Sequence, residues 1–331
     1  MRYFIAVTFL FASIACSAQR AIALERDRLS QGHWSIRGYC DERSVFPAAF
    51  RDSLAVIRSL NIYCDSVFAL PATIGGMTNL EILTLINCNT LRRLPEEVGR
   101  LSRLKNFEAR GRAGEGLSEL PAAFGELKSL ETVAIEGQSL ERLPAALTGL
   151  PSLARLSLIN APLDSFPVVL AQWKGSLCQL ELDASRFRTL PDAVGKTGGA
   201  AAKGYLILRN CSLLTAFPAG IAELKLPLYL HGASALRDIS ALNKLEHDFF
   251  LEVNTSPRQW KRMMRTLNDG AHLNLVMDTH MAKKLEKNLR RLKRLQSLAL
   301  TGDDDPGLIA RLRKRLPETK LVVKTIQVPK K

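Results

Sequence analysis

Aromatic residues are scarce, at 6% of the 331-residue chain, so any core must be aliphatic, and leucine carries most of it. The motifs of common chemistries are missing as well. The five histidines, His33, His231, His247, His272 and His280, form no H-E-x-x-H and no H-x₃₋₅-H pair. There is no C-x-x-C, no P-loop and no G-x-S-x-G, which removes the usual zinc, nucleotide and serine-hydrolase frames. Gly198-Gly199 follows Lys196-Thr197 without a phosphate-loop frame and reads as an insertion. Asp303-Asp304-Asp305 lacks the Asp-x-Asp-x-Asp-Gly calcium loop; acids at a helix N-terminus explain it better, because they complement the dipole. No catalytic residue, metal site, cofactor or small-molecule substrate is expected. Beyond the first 18 residues, no apolar stretch approaches the roughly 20 residues that span a bilayer.

Charge is unevenly spread along the chain. The chain carries a formal +14, yet Arg258 to Lys331 holds 19 Lys plus Arg against 7 Asp plus Glu, a net of +12. The preceding 257 residues are close to neutral. Such a tail fits acidic partners, and it also fits ordinary solvated helix faces.

The first residues read as a secretory signal: Met1-Arg2, an apolar run from Tyr3 to Ala15, then small residues at Cys16-Ser17-Ala18. Two cleavage readings stay open. One cuts after Ala18. The other cuts before Cys16, because Ile14-Ala15-Cys16 resembles the end of a bacterial lipobox, although Ser13 departs from its usual aliphatic start. Export to the periplasm, cell surface or medium is expected, with a lipid anchor at Cys16 on the second reading. Cys40, Cys64, Cys88, Cys178 and Cys211 then remain. Five cannot all pair within one chain; Cys64–Cys88 and Cys40–Cys64 are the candidate bridges, and Cys88 and Cys211 also read as buried thiols.

The decisive positive feature is a recurring proline after an apolar residue: Pro47, Pro71, Pro95, Pro121, Pro144, Pro167, Pro191 and Pro218. The spacings are 24, 24, 26, 23, 23, 24 and 27 residues. A period of that length means a solenoid. Between the prolines runs a second pattern: Leu153, Leu156, Leu158, Ala161 and Leu163 are matched by Leu130, Val133, Ile135, Gln138 and Leu140, and by Leu177, Leu180, Leu182, Ser185 and Phe187. Alternation within it puts the apolar residues on one face of a short strand. One copy cannot bury that face alone, but stacked copies can.

These residues resemble the leucine-rich-repeat signature, L-x-x-L-x-L-x-x-N/C-x-L. Leu140, Leu143-Pro144, Leu147 and Leu150 resemble its plant intracellular and Ras-suppressor-like class. The resemblance covers about residues 44 to 254. It implies an α/β solenoid with a curved parallel sheet on the concave side and short helices or 3₁₀ turns, such as Glu96 to Leu101, on the convex side. In the family, the Asn/Cys position satisfies buried loop backbone. Here Cys88 and Cys211 occupy it beside Gln138, Ser185, Ala161 and Ala233, so a somewhat irregular ladder is expected. A bacterial effector class joins similar L-P repeats to a cysteine-dependent ubiquitin ligase. Only about 75 residues follow the repeats here, and they contain no cysteine.

The expected organisation is a signal (1–18), an N-terminal cap (19–43), repeats (44–254) and a basic C-terminal region (255–331) with a repeat-like rung and a helix–strand cap. Ser256-Pro257 starts a helix toward Asn268. Leu273 to Met277 reads as a strand. A basic helix follows from Asp278 or Thr279 to about Arg294. Leu295 to Leu300 is another rung, Pro306 to Leu316 a helix, and 320–328 a final strand.

The implied binding surface is the concave face. Tyr205, Arg209, Tyr229 and His231 should form one end of a protein-binding site, since exposed aromatics with Arg are common anchors. Glu108, Glu136, Glu181 and Asp183 should form an acidic strip. The expected function is a binding module that docks a protein. The alternative is an envelope-associated structural protein held to anionic lipid or glycan by Lys283, Lys284, Lys287, Arg290, Arg291, Lys293 and Arg294. Export disfavours nucleic acid as a partner.

Overall fold

A computed structural model describes residues 23–25, 33–37, 54–63, 68–161, 163–173, 178–184, 186–197, 204–252, 255–268, 272–303 and 305–325. The signal, the lipobox, Cys40 and Cys64 lie outside them, and so does the Gly198-Gly199 insertion. Fourteen strands form one sheet in chain order: β1 (Ala23–Glu25), β2 (His33–Arg37), β3 (Ser59–Tyr63), β4 (Ile82–Ile86), β5 (Asn106–Glu115), β6 (Thr132–Gln138), β7 (Arg155–Ile159), β8 (Gln179–Asp183), β9 (Tyr205–Arg209), β10 (Leu228–Leu230), β11 (Phe249–Glu252), β12 (Leu273–Asp278), β13 (Ser297–Gly302) and β14 (Lys320–Thr325). β1 is antiparallel to β2; every later pairing is parallel.

Alternation within each strand builds the core. Leu158, Leu182, Leu208, Leu230, Leu251, Leu275 and Leu298 stand one behind the next across successive strands, and all are buried. The intervening residues point to the open face of the sheet.

The prolines open the return path. Pro71, Pro95, Pro121, Pro144, Pro167, Pro191 and Pro218 each precede a five-residue 3₁₀ turn in extended conformation. Each uses only its carbonyl there, accepting from the residue three further on, as Val98 N–H does to Pro95 at 3.1 Å. Nothing is lost by a residue without an N–H. The third turn residue, such as Val98 or Phe124, plugs the core. Ile239 stands where the next proline is missing. It does have an N–H, and the Thr266 hydroxyl accepts it at 3.1 Å, as a buried donor requires.

A second regularity sits where strands end. Asn87, Gly137, Asn160, Asn210 and Gly232 all adopt positive φ, and each immediately precedes an Asn/Cys-type position. Only Gly and, less readily, Asn enter this region at low cost. At Gly137 a Cβ would also lie 2.1 Å from the Gly111 carbonyl oxygen. Gly137→Ala is therefore expected to cost at least about 1–2 kcal/mol. Gly114→Ala, at φ +82° with open space around it, should cost less. Urea unfolding of both variants checks this, and equal losses would remove the steric argument.

The expected irregularities have physical causes. The 26-residue spacing between Pro95 and Pro121 is absorbed by a register shift in β5 between Arg110 and Glu115. Cys88 and Cys211 are buried; the Cys88 thiol donates to the Ile62 and Ile86 carbonyls. Burial, followed by the nearby Asp183 charge, pushes the Cys211 thiol up to about 12. Gln138 accepts the Leu117 N–H at 2.8 Å.

From Ser256 onward helices replace the 3₁₀ turns, while the sheet continues. Ser256 caps α1 (Pro257–Met263) and Asp278 caps α2 (Thr279–Leu289). Asp305 caps α3 (Pro306–Arg315), the role that the acidic triplet's last member takes. Two helices stop earlier than the sequence pattern predicts. α1 gives way at Met264 to a 3₁₀ turn that ends at Thr266, whose hydroxyl donates to the Met263 carbonyl at 2.7 Å. α2 ends at Leu289 rather than near Arg294 because Leu292 and Leu295 must enter the core, and i to i+3 bonds from Leu292 N–H and Leu295 N–H tighten the chain.

Candidate functional site

The open face of β9 to β11 gathers the aromatic side chains. Tyr229 stacks on Phe250 with ring centroids 4.1 Å apart and planes 2° from parallel. Tyr205 meets Tyr229 edge-on at 5.5 Å. The register explains the contacts: Ile207, Tyr229 and Phe250 are direct cross-strand neighbours, while Tyr205 lies two residues earlier on β9 than Ile207. Tyr205 remains 36% exposed; Ile207, Tyr229 and Phe250 are half-buried. Partial burial, then Tyr205, then the Asp248 charge raise the Tyr229 phenol above its ordinary value.

Ion pairs frame this patch. On β9, Arg209 pairs with the buried Glu181 of β8. On the other side, His231 Nδ1 lies 2.6 Å from Glu252 Oε2. His272 Nδ1 lies 3.7 Å from Asp248. Asp248 and Glu252 thus place two carboxylates on this rim, while Glu181 offsets Arg209.

The structure thus brings Tyr205, Arg209, Tyr229 and His231 to one region. It adds Phe250, Glu252 and Asp248, which the sequence reading missed. The signal was present in Phe249-Phe250-Leu251-Glu252, an alternating strand like its neighbours. The repeat before it lacks its proline, so the register was not carried forward.

The expected acidic strip does not form one surface. Glu181 and Asp183 are 6% and 2% exposed. Glu181 takes Arg209 and the Ser157 hydroxyl. Asp183 accepts the Asn160 backbone N–H at 3.1 Å and the Asn210 side-chain amide at 2.9 Å, tying together the two left-handed turns on either side of it. Glu108 and Glu136 lie further along the sheet, around Arg110. Asp183→Leu should therefore cost about 1 kcal/mol of stability, the usual net loss for a removed hydrogen-bond acceptor, with no loss of partner binding. A variant as stable as the parent would contradict the tie.

The seven basic residues Lys283, Lys284, Lys287, Arg290, Arg291, Lys293 and Arg294 are all exposed, on the helix side of the sheet and away from the aromatic patch. Lys283 bonds Asp305 at 2.7 Å and, first among several causes, holds that carboxyl below its ordinary value.

No family model and no curated protein matches the chain. Among solved structures, the leucine-rich-repeat domain of the type III effector XopL is similar at 25% identity and a TM-score of 0.51, over 62% of this chain and 70% of that one. The fold is a leucine-rich-repeat solenoid. A leucine-rich-repeat protein of Leptospira interrogans is similar at 18% identity, over 86% of this chain and 100% of that one, with a TM-score of 0.32. An internalin, InlF, from Listeria monocytogenes is similar at 12% identity, over 91% and 88%, with a TM-score of 0.40. In this solenoid the aromatic patch sits on the concave face, toward the C-terminal end of the strand ladder.

Proposed function

We propose that the chain is an exported, non-catalytic binding module that docks a protein partner on its concave face. Export rests on the signal pattern of residues 1–18. The docking reading rests on one observation above all, the Tyr205–Tyr229–Phe250 cluster on an open sheet face. Large aromatic side chains contribute most at interfaces when a partner covers them. Asp248 and Glu252 beside them favour a segment with apolar and cationic side chains over an acidic one.

The test is site-specific photo-crosslinking from a photoreactive residue at Ile207, with the same residue at Arg142 as the reference, in an envelope extract. A protein crosslinked from position 207 alone, and lost from a Tyr229→Ala/Phe250→Ala chain, supports the reading. Equal crosslinking from both positions sinks it. An apolar contact should also persist when salt is raised, because screening acts on exposed charges.

A further inference from the structure

The opposite side of the molecule carries a different surface. The 3₁₀ turns of the earlier rungs mix charges, as in Glu96, Glu97 and Arg100, or Asp192 and Lys196. The three C-terminal helices hold one carboxylate, Glu286, against an excess of cations. α1 and the turn after it expose Arg258, Lys261, Arg262 and Arg265, whose spacings of three, four and seven form one stripe. α2 exposes Lys284 and Lys287, with Arg291 just beyond it, at similar spacing. α3 exposes Arg313 and Lys314. The apolar residues of the same helices, Trp260, Leu285, Leu289, Leu308 and Leu312 among them, are buried against the sheet, so the cations face outward.

The helices are also joined into one face. α1 packs on α2. Glu286 of α2, only 13% exposed, holds Arg311 at 3.2 Å and Arg315 at 2.9 Å on α3. These bridges take up Arg311 and Arg315, and Asp305 takes up Lys283. Among the described residues, no carboxylate pairs with Arg258, Lys261, Arg262, Lys284, Lys287 or Lys314.

We infer that this helical face adsorbs to an anionic lipid bilayer. The cations are spread over three adjacent helices, which suits an extended anionic surface better than one small anion. The only Phe, Trp or Tyr in these helices is Trp260, fully buried, so the stacking platform that single-stranded nucleic acid uses is missing. Among the described residues, the large exposed apolar side chains are Val56, Phe68, Val168, Tyr205 and Leu213, none of them on these helices. The contact is therefore electrostatic adsorption without insertion, each cation adding a modest increment. Because the aromatic patch lies on the other side of the sheet, a chain lying on a bilayer keeps its concave face free. The inference does not depend on the docking reading.

The experiment is co-sedimentation of the full chain with vesicles of phosphatidylcholine, with and without phosphatidylglycerol. Binding should be stronger when phosphatidylglycerol is present, and the difference should disappear as salt is raised. Arg262→Glu/Lys284→Glu/Lys287→Glu should lower partitioning onto the anionic vesicles at least about 100-fold, with an unchanged melting curve showing that the fold survives. Arg142→Glu/Arg188→Glu/Lys225→Glu changes net charge equally, away from this face, and should retain most of the binding. Tyr229→Ala/Phe250→Ala should bind vesicles like the parent. Equal binding to both vesicle types, or equal loss in the two charge-reversed chains, overturns the inference. So does duplex DNA that displaces the chain from anionic vesicles at the same ionic strength.

Discussion

Phe107→Ala is expected to cost about 3–5 kcal/mol, the usual loss for a large aromatic removed from a packed core, and to split the unfolding transition in two. Phe107 is 1% exposed and Phe124 is fully buried; their rings meet edge-on with centroids 5.1 Å apart. Phe107 also lies between Leu83 and Val133 in the adjacent strands. It therefore joins the β4, β5 and β6 rungs to the turn that follows β5. In a solenoid each rung touches mainly its neighbours, so stability is close to a sum of rung and interface contributions. A cavity at one rung weakens the coupling between everything before it and everything after it. Trp173 and Trp260 are buried on the C-terminal side; with Trp34→Phe introduced into both parent and variant, fluorescence reports on that half, while far-ultraviolet circular dichroism reports on the whole array. In urea the two signals should separate for Phe107→Ala and coincide more closely for the parent. Coincident signals shifted by less than about 1 kcal/mol would show that neighbouring rungs repack around the loss.

Tyr229→Ala/Phe250→Ala is expected to weaken binding of the protein crosslinked from position 207 by at least about 30-fold, the equivalent of the 2 kcal/mol that marks an interface hot spot. The stacked pair presents a rigid surface at little entropic cost, because each ring already restrains the other. Phe68→Ala supplies the comparison: Phe68 is 72% exposed and outside the strands, so its loss should leave affinity unchanged. Titration by calorimetry or surface plasmon resonance reads both. If Phe68→Ala weakens binding and the double variant does not, the contact surface lies off the concave face.

Much of the fold was legible in the residues because the repeat is written twice. Proline at intervals of 23 to 27 residues marked each departure from the strand side, and Leu-x-Leu alternation marked each rung. Both are local properties with direct geometric consequences, a missing N–H and a two-residue side-chain period. The same logic reached Tyr205 and Tyr229, which occupy outward strand positions that alternation alone identifies. It failed at Phe250 because the Ile239 rung carries no proline. There a hydroxyl from Thr266, nearly thirty residues on, performs the task, and no local pattern announces such a partner.

The sequence by itself thus determined the solenoid, the inward leucines, the helix cap at Ser256, and the basic character of the C-terminal region. Only the tertiary structure decided which polar residues are free to act. Glu181 and Asp183 stand at outward strand positions like Glu108, yet one is consumed by Arg209 and Ser157 and the other by the turns at Asn160 and Asn210. The stacking of Tyr229 on Phe250, the pairing of His231 with Glu252, and the joining of three basic helices into one face were likewise settled there. The physical reason is the same in each case. A strand's period places a side chain on a face, but its partners come from neighbouring rungs more than twenty residues away, and only the stacking of rungs brings them within bonding distance.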